Sequence, residues 1–425
     1  MYQVSDSTAL LRGHRRLLSR APSTPRVART VVLLGLTSLI TDISSEMVAA
    51  VLPLYLVYIG GFTPLAYGVI DGLYQGATAL VGLASGFIGD RFRRHKDVAA
   101  TGYGLSAVTK LLLATVGTAV SAVGAIVLLD RVGKGIRTAP RDTMISLSTP
   151  KEQLGTAFGV HRAMDTTGAV LGPIVAFAIL AIAPLAFHSL FLVSFCFAIV
   201  GVAILVLFVD PPRARAAAAQ AAERDRGPSL RGAFALLRIG RYRALLIAGG
   251  VLSLATASDA FIFLSLQAKL DLGTSMFPLL FVGSSATYML LAVPMGRLAD
   301  RIGRGRVLVG GYVLLVAVYA ALLLPMGGWL LLVSVLGLLG AYYGATDGVL
   351  MALGSAVVPD ELRGSGLALL GTATSIARLV ASLLFGALWT LWGIHTAILC
   401  FGVALVAAIA LAVMLFVRSH EYQHA

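Results

Sequence analysis

The chain has 425 residues, of which 58% are hydrophobic and only 12% charged, about half the charged fraction usual in a soluble domain. A soluble fold of this length would lack the polar residues to cover its surface, so the composition excludes one. The formal net charge of +13 invites a nucleic-acid reading. However, Lys and Arg gather in the two tails and in alternate connections between apolar runs, which is the positive-inside bias of a multi-pass membrane protein.

Taken in order, a basic tail (1–28) precedes six apolar runs at 29–58, 63–88, 98–117, 119–139, 155–182 and 186–209. Each is close to the roughly 20 residues that cross about 30 Å of hydrocarbon. Residues 210–242 change character to Pro, Ala and Arg and read as a linker, with a surface helix expected over 230–239. Six further runs follow at 243–267, 274–298, 307–325, 328–353, 364–390 and 395–417, then a short tail, 418–425. The runs do not alternate polar and apolar as barrel strands would, and the first is too long for a cleavable signal peptide. The expected fold is an all-α polytopic membrane protein of twelve transmembrane helices. Both termini are expected to be cytoplasmic, in the cell (plasma or inner) membrane. The units are an N-terminal half, 29–209, and a C-terminal half, 243–417. Cys196 and Cys400 lie inside apolar runs, where buried packing is expected rather than a disulfide or metal site.

The halves echo each other. "GFIGDRFRRHK" from Gly86 and "GRLADRIGRGR" from Gly296 place Gly86, Asp90, Arg91 and Arg94 against Gly296, Asp300, Arg301 and Arg304, at a constant offset of 210 residues. Two six-helix halves in parallel repeat follow from this. The doubled G-x-x-x-D-R-x-x-R loop, the twelve runs and the basic central linker resemble the major facilitator superfamily (MFS) of transporters over nearly the whole chain. Two more motifs fit. "RVGKG", from Arg131, resembles the fourth-helix motif, with Lys134 in place of Gln. Gly159, Gly168, Gly172 and Pro173 reproduce the fifth-helix spacing of exporters that exchange substrate for protons, although Ala176-Phe177 replaces its final Gly-Gly. The resemblance implies two pseudo-symmetric halves and a central cavity lined in the first half by helices 1, 2, 4 and 5. It also implies loops that clamp the halves, Asp90 at the start of helix 11 and Asp300 at the start of helix 5.

Charge at membrane depth is costly, at least ~2.5–3.5 kcal/mol per residue, so acids and bases inside the runs are expected to face that cavity. Asp42 and Glu46 share one face of helix 1 at i,i+4. Close together, two acids raise each other's proton affinity, which suits a proton carrier. Arg131, beside Asp130, is the expected partner of these acids. Helix 5 carries His161, Arg162 and Asp165, and the last two can pair within the helix. In the second half Asp259, Tyr342, Tyr343, Asp347 and Arg378 are the candidate cavity residues. Lys110 is expected to snorkel from helix 3, and His395 and His420 are placed at the membrane boundary and tail.

No P-loop, no nucleophile motif and no metal-ligand spacing occurs in the chain, so neither an enzyme nor a cofactor is expected. The expected function is proton-coupled export of a small organic molecule by a monomer in the lipid bilayer, through alternating access. The alternative is a proton-coupled uptake symporter of a small metabolite, anionic in view of Arg131, Arg162 and Arg378. The rival from another class is a non-transporting sensor or scaffold. No motif names the substrate or the direction of transport.

Overall fold

A computed structural model describes residues 28–76, 94–117, 119–150, 153–210, 236–359 and 362–421. The described residues form helices and turns, without a strand. The first half consists of α1 (Arg29–Leu54), α2 (64–76), α3 (His95–Thr115), α4 (Val120–Leu147), α5 (Leu154–Ile182) and α6 (Phe187–Phe208). α1 runs on through a wider helical turn over Tyr55–Ile59, just after Pro53, whose missing N–H interrupts the regular ladder.

In the second half α7 (Gly240–Leu254) and α8 (Asp259–Leu270) form one broken span. α9 (Phe277–Ile302), α10 (Arg304–Leu323), α11 (Gly328–Val357) and α12 (Arg363–Glu421) follow. α12 is divided into two arms by Gly393, whose φ of 81° is open to glycine and strained for other residues. Among the described residues, nine helices are long and apolar enough to cross a membrane, and the last of them is 52 residues long, enough for two passes. With α4, whose charges lower its hydropathy, and α2, the arrangement accommodates the twelve expected spans.

Hydropathy ends two helices early. α4 continues through Arg141 and Asp142 to Leu147, and α11 reaches Val357, because helical hydrogen bonding does not stop where the apolar run does. Of the helix expected over 230–239, the described part is a single turn, Leu236–Arg238. Cys196 and Cys400 are exposed rather than buried. They project outward from the bundle, where hydrocarbon suits a thiol as well as a core would.

The internal repeat is visible in the packing. Contacts α1–α5, α3–α4 and α3–α6 recur as α7–α12, α10–α11 and α10–α12. Small residues set these approaches. A Cβ on Gly102 would lie 2.7 Å from the Gly133 carbonyl oxygen, and one on Gly168 would lie 2.3 Å from that of Leu39. The break between α7 and α8 exposes backbone groups at membrane depth, which water cannot satisfy there. Tyr319 of α10 closes it: its hydroxyl accepts from the Ala257 N–H at 2.8 Å and donates to the Ala255 oxygen at 3.3 Å.

The two halves meet at the face opposite the chain termini, here the distal face. There Tyr67 of α2, Phe261 of α8 and Phe385 and Trp389 of α12 stack with centroids 4.8–6.1 Å apart. The Leu65 N–H donates to Thr390 Oγ1 at 2.8 Å, and Gly386 lies against the Pro64 backbone. Toward the terminal face the described residues are less tightly packed. Gly159 and Gly296 have open space at their Cβ positions, and Met289, Leu290 and Val293 of α9 are exposed.

Candidate functional site

α4 carries Arg131, Lys134, Arg137 and Arg141 at spacings of three, three and four, which a 3.6-residue helix gathers into one stripe. The acids of α1 and α5 face that stripe. Arg137 Nη2 donates to Asp42 Oδ1 at 3.3 Å, with both side chains buried. Lys134 Nζ stands 3.6 Å from Glu46 Oε1, and Arg141 Nη1 stands 3.7 Å from Asp165 Oδ1. The Asp42 and Asp165 carboxyls also adjoin each other. At the terminal-face end of the stripe, Ser38 Oγ shares hydrogen bonds with His161 Nε2 at 3.0 Å and Tyr103 OH at 3.2 Å, and accepts from Arg141 at 3.4 Å. The Arg137 guanidinium lies 4.5 Å over the Tyr103 ring.

Several expected pairings are corrected by this arrangement. Asp42 and Glu46 share a face, but each has its own cation, so the carboxyl adjoining Asp42 belongs to Asp165. Arg131 feels the charge of Glu46 but makes its direct contacts elsewhere. It donates to Asp130 Oδ2 at 2.5 Å and lies 3.9 Å over the Tyr74 ring. Lys110 does not snorkel. It is buried and donates to Asp130, which also accepts from Thr109 at 3.2 Å. Arg162 is exposed and makes no ion pair with Asp165, which turns to Arg141. Sequence reasoning passed over Arg137, Arg141, Ser38 and Asp71. A helical wheel carried past residue 139 would have shown the basic stripe.

In the second half, Asp259 opens α8 rather than sitting mid-helix, and accepts from Tyr343 OH at 2.5 Å. Tyr288 OH donates to Asp347 Oδ2 at 3.3 Å. Tyr342 is not cavity wall: it is fully buried, with its centroid 5.4 Å from Tyr312 and 4.9 Å from Tyr343. Arg378 lies in the electrostatic neighbourhood of Asp259, Tyr342 and Tyr343, and its buried Nε has no hydrogen-bond partner.

Of the repeated loops, Gly86, Asp90 and Arg91 lie outside the described residues. Arg94 pairs with Asp97 at 3.0 Å, both exposed. Asp300 accepts from Arg304 at 3.1 Å, and Arg301 is exposed. Asp300 does not cap α5 in this conformation, since α5 starts after Gln153 without a side-chain cap. In the fifth-helix motif, Gly168 and Gly172 press on the α1 backbone, Pro173 is buried and Gly159 is open. Among the described residues no group of three His, Cys, Asp or Glu could hold a metal ion.

The sequence profile of the Major Facilitator Superfamily matches residues 34–278 and 245–425. The chain belongs to the major facilitator superfamily. It is 30% identical over 380 residues to an uncharacterised MFS-type transporter of Methanocaldococcus jannaschii, covering 85% of this chain and 89% of that one. An uncharacterised protein of Mycobacterium tuberculosis is 34% identical over 154 residues, 36% of this chain and 37% of that one. The solved nucleoside transporter NupG shares the fold with a TM-score of 0.72 at 15% identity, covering 91% of this chain and 99% of that chain. A bacterial homologue of the human lysosomal transporter Spinster, in an inward-facing and occupied conformation, matches with a TM-score of 0.68 at 13% identity, over 91% and 96% of the two chains. This MFS chain is therefore a multi-pass membrane transporter of the secondary class, acting on a small molecule.

Proposed function

We propose that this transporter exports a small organic molecule in exchange for protons, and that the Asp42–Asp165 pair carries the coupling. The supporting observation is that two carboxyls from α1 and α5 adjoin each other, flanked by Arg137 and Arg141 of α4. Two ionised carboxylates have no hydrogen to share, whereas one proton between them makes a hydrogen bond. Losing that proton strengthens the pull of each acid on its arginine, so α1, α4 and α5 change their mutual attraction with one protonation step. Glu46 and Lys134, 3.6 Å apart and partly exposed, extend the network to the cavity. The pressing of Gly168 and Gly172 on α1 supports the exchange mode that the fifth-helix motif implies. Basic tails put the terminal face in the cytoplasm, so the conformation is read as inward-open.

A second reading, uptake of an anionic metabolite with protons, draws on Arg162, which makes no ion pair among the described residues, and on the bare Nε of Arg378. Both readings are tested in proteoliposomes holding an entrapped pH dye. Compounds that raise the protein's melting temperature in a screen of drugs, siderophores, lipids and metabolites are added in turn. Export by exchange moves protons opposite to substrate, and symport moves them together. Asp42→Asn and Asp165→Asn each abolish gradient-driven flux while sparing substrate-for-substrate exchange. Full gradient-driven flux in both variants removes this pair from the coupling role.

A further inference from the structure

Asp71 of α2 is a buried carboxylate that the charge network of α1, α4 and α5 does not use, and it sits where the halves touch. α2 approaches α12 through Gly68, Gly72 and Gly76. Cβ atoms there would fall 2.6 Å from the Ser382 carbonyl oxygen, 3.0 Å from that of Leu379 and 2.6 Å from Leu379 Cδ1. This close approach buries Asp71 against α12. Ser382 Oγ lies 2.7 Å from Asp71 Oδ2 and 3.1 Å from the Gly68 carbonyl oxygen.

Proton counting distinguishes the two states of this carboxyl. A serine hydroxyl has one hydrogen, so against an ionised Asp71 it can serve one of the two oxygens fully. With Asp71 protonated, the carboxyl O–H donates to Ser382 Oγ and the serine O–H donates to Gly68, and both contacts are made. The groups facing Asp71 do not supply a balancing cation. Tyr67 and Tyr74 flank it on α2, and Asp259 approaches from α8. Arg131 and Glu46 reach Tyr74 rather than Asp71, and the Arg378 charge falls on Asp259. Among the described residues Asp71 has no ion pair. Ser258, just before α8, also adjoins Asp71 and brings a hydroxyl but no positive charge.

Asp259, by contrast, has the Tyr343 hydroxyl at 2.5 Å and the Arg378 charge nearby. Were both acids ionised, two like charges would face each other across the α2–α8 contact in a water-poor site, where repulsion is strong. We infer that Asp71 is a proton-operated latch of the distal face: protonated, it ties α2 to α12 through Ser382 and holds that face shut; ionised, it is a buried charge without a cation, loses part of that tie and releases the face. The proton enters from water at the open distal face and stays on Asp71 while that face is closed. The latch rests on the proton-coupled reading above but uses a different carboxylate, so the two can fail separately.

The test uses the full-length chain with Cys196→Ser and Cys400→Ser and spin labels at Ile59→Cys and Leu391→Cys, exposed positions at the distal ends of the two halves. Distances are measured from pH 5 to pH 9. Wild type is expected to gain a distal-open population as pH rises, by up to about tenfold per unit where one proton is released. Asp71→Asn, whose amide can still donate to Ser382, is expected to stay closed at every pH. Ser382→Ala keeps the carboxyl but removes its partner, so its opening midpoint moves to lower pH. Wild-type pH dependence in Asp71→Asn, or a Ser382→Ala midpoint that does not move, overturns the latch, as does a wild-type distribution that pH leaves unchanged. Loss of gradient-driven flux in Asp42→Asn with the distal pH response intact upholds the latch as separate from the main coupling pair. A wild type whose flux ignores the gradient while its distances follow pH removes the coupling reading and keeps the latch.

Discussion

Lys110 occupies a position that hydropathy would give to lipid, yet its ammonium is buried against Asp130, together with Arg131 and Thr109. Two cations on one carboxylate suit a site from which water is excluded, because each alone would be an uncompensated buried charge. This cluster reads as a strut between α3 and α4, apart from the α1–α4–α5 network. Replacing Asp130 by Asn leaves two buried cations facing each other, and a loss on the order of 3–5 kcal/mol is expected. Lys110→Met alone is expected to cost less, because Arg131 still answers the acid. The double variant is expected to be more stable than Asp130→Asn. Thermal unfolding in detergent checks this; a double variant whose loss equals the sum of the singles means that the two side chains are not coupled.

Helix by helix, the length of the apolar runs was enough to place the described helices to within several residues. What the sequence withheld was partnership. Spacing put Asp42 and Glu46 on one face, but whether a cation met them depended on the rotation of α4, which no local pattern specifies. Asp71 was invisible for a related reason: a lone acid in "GVIDGLYQG" has no motif, and its meaning comes from Ser382, 311 residues away. The one signal was an acid set among glycines at four-residue spacing. The fifth-helix motif divides in the same manner. Gly168 and Gly159 look equivalent in sequence, but a Cβ on Gly168 would meet the Leu39 backbone at 2.3 Å while Gly159 has open space. Backbone cannot step aside as a side-chain tip can, so Gly168→Ala is expected to pry α5 from α1 and sharply reduce transport and melting temperature. Gly159→Ala is expected to leave the melting temperature within a degree or so, as open sites tolerate substitution. Equal effects from the two substitutions would mean that the motif acts through something other than this packing.

Across the described residues, the halves meet through the aromatic and backbone contacts of the distal face, and the loop of Asp300 lies toward the terminal face. Asp300 is exposed there and held by Arg304 of its own loop, with Arg304 also donating to the Ala352 oxygen at 3.4 Å. Among the described residues the start of α5 has no side-chain cap, and its first N–H groups and the positive end of its dipole favour an acidic acceptor. Closing the terminal face would bring Asp300 toward that helix start, as the loop repeat implies. The carboxylate then stabilises the closed state and contributes little to the open one. Asp300→Ala is therefore expected to shift the population toward terminal-open by roughly fivefold, the size of a lost helix cap, without lowering the melting temperature. Arg304→Ala frees the carboxylate from its partner and is expected to shift the population the other way. Spin labels at Thr156→Cys and Leu298→Cys, on the terminal-face ends of α5 and α9, report both shifts as changes in the long-distance fraction. If both variants match the wild-type distribution, the loop charges act on membrane orientation alone and the clamp is withdrawn.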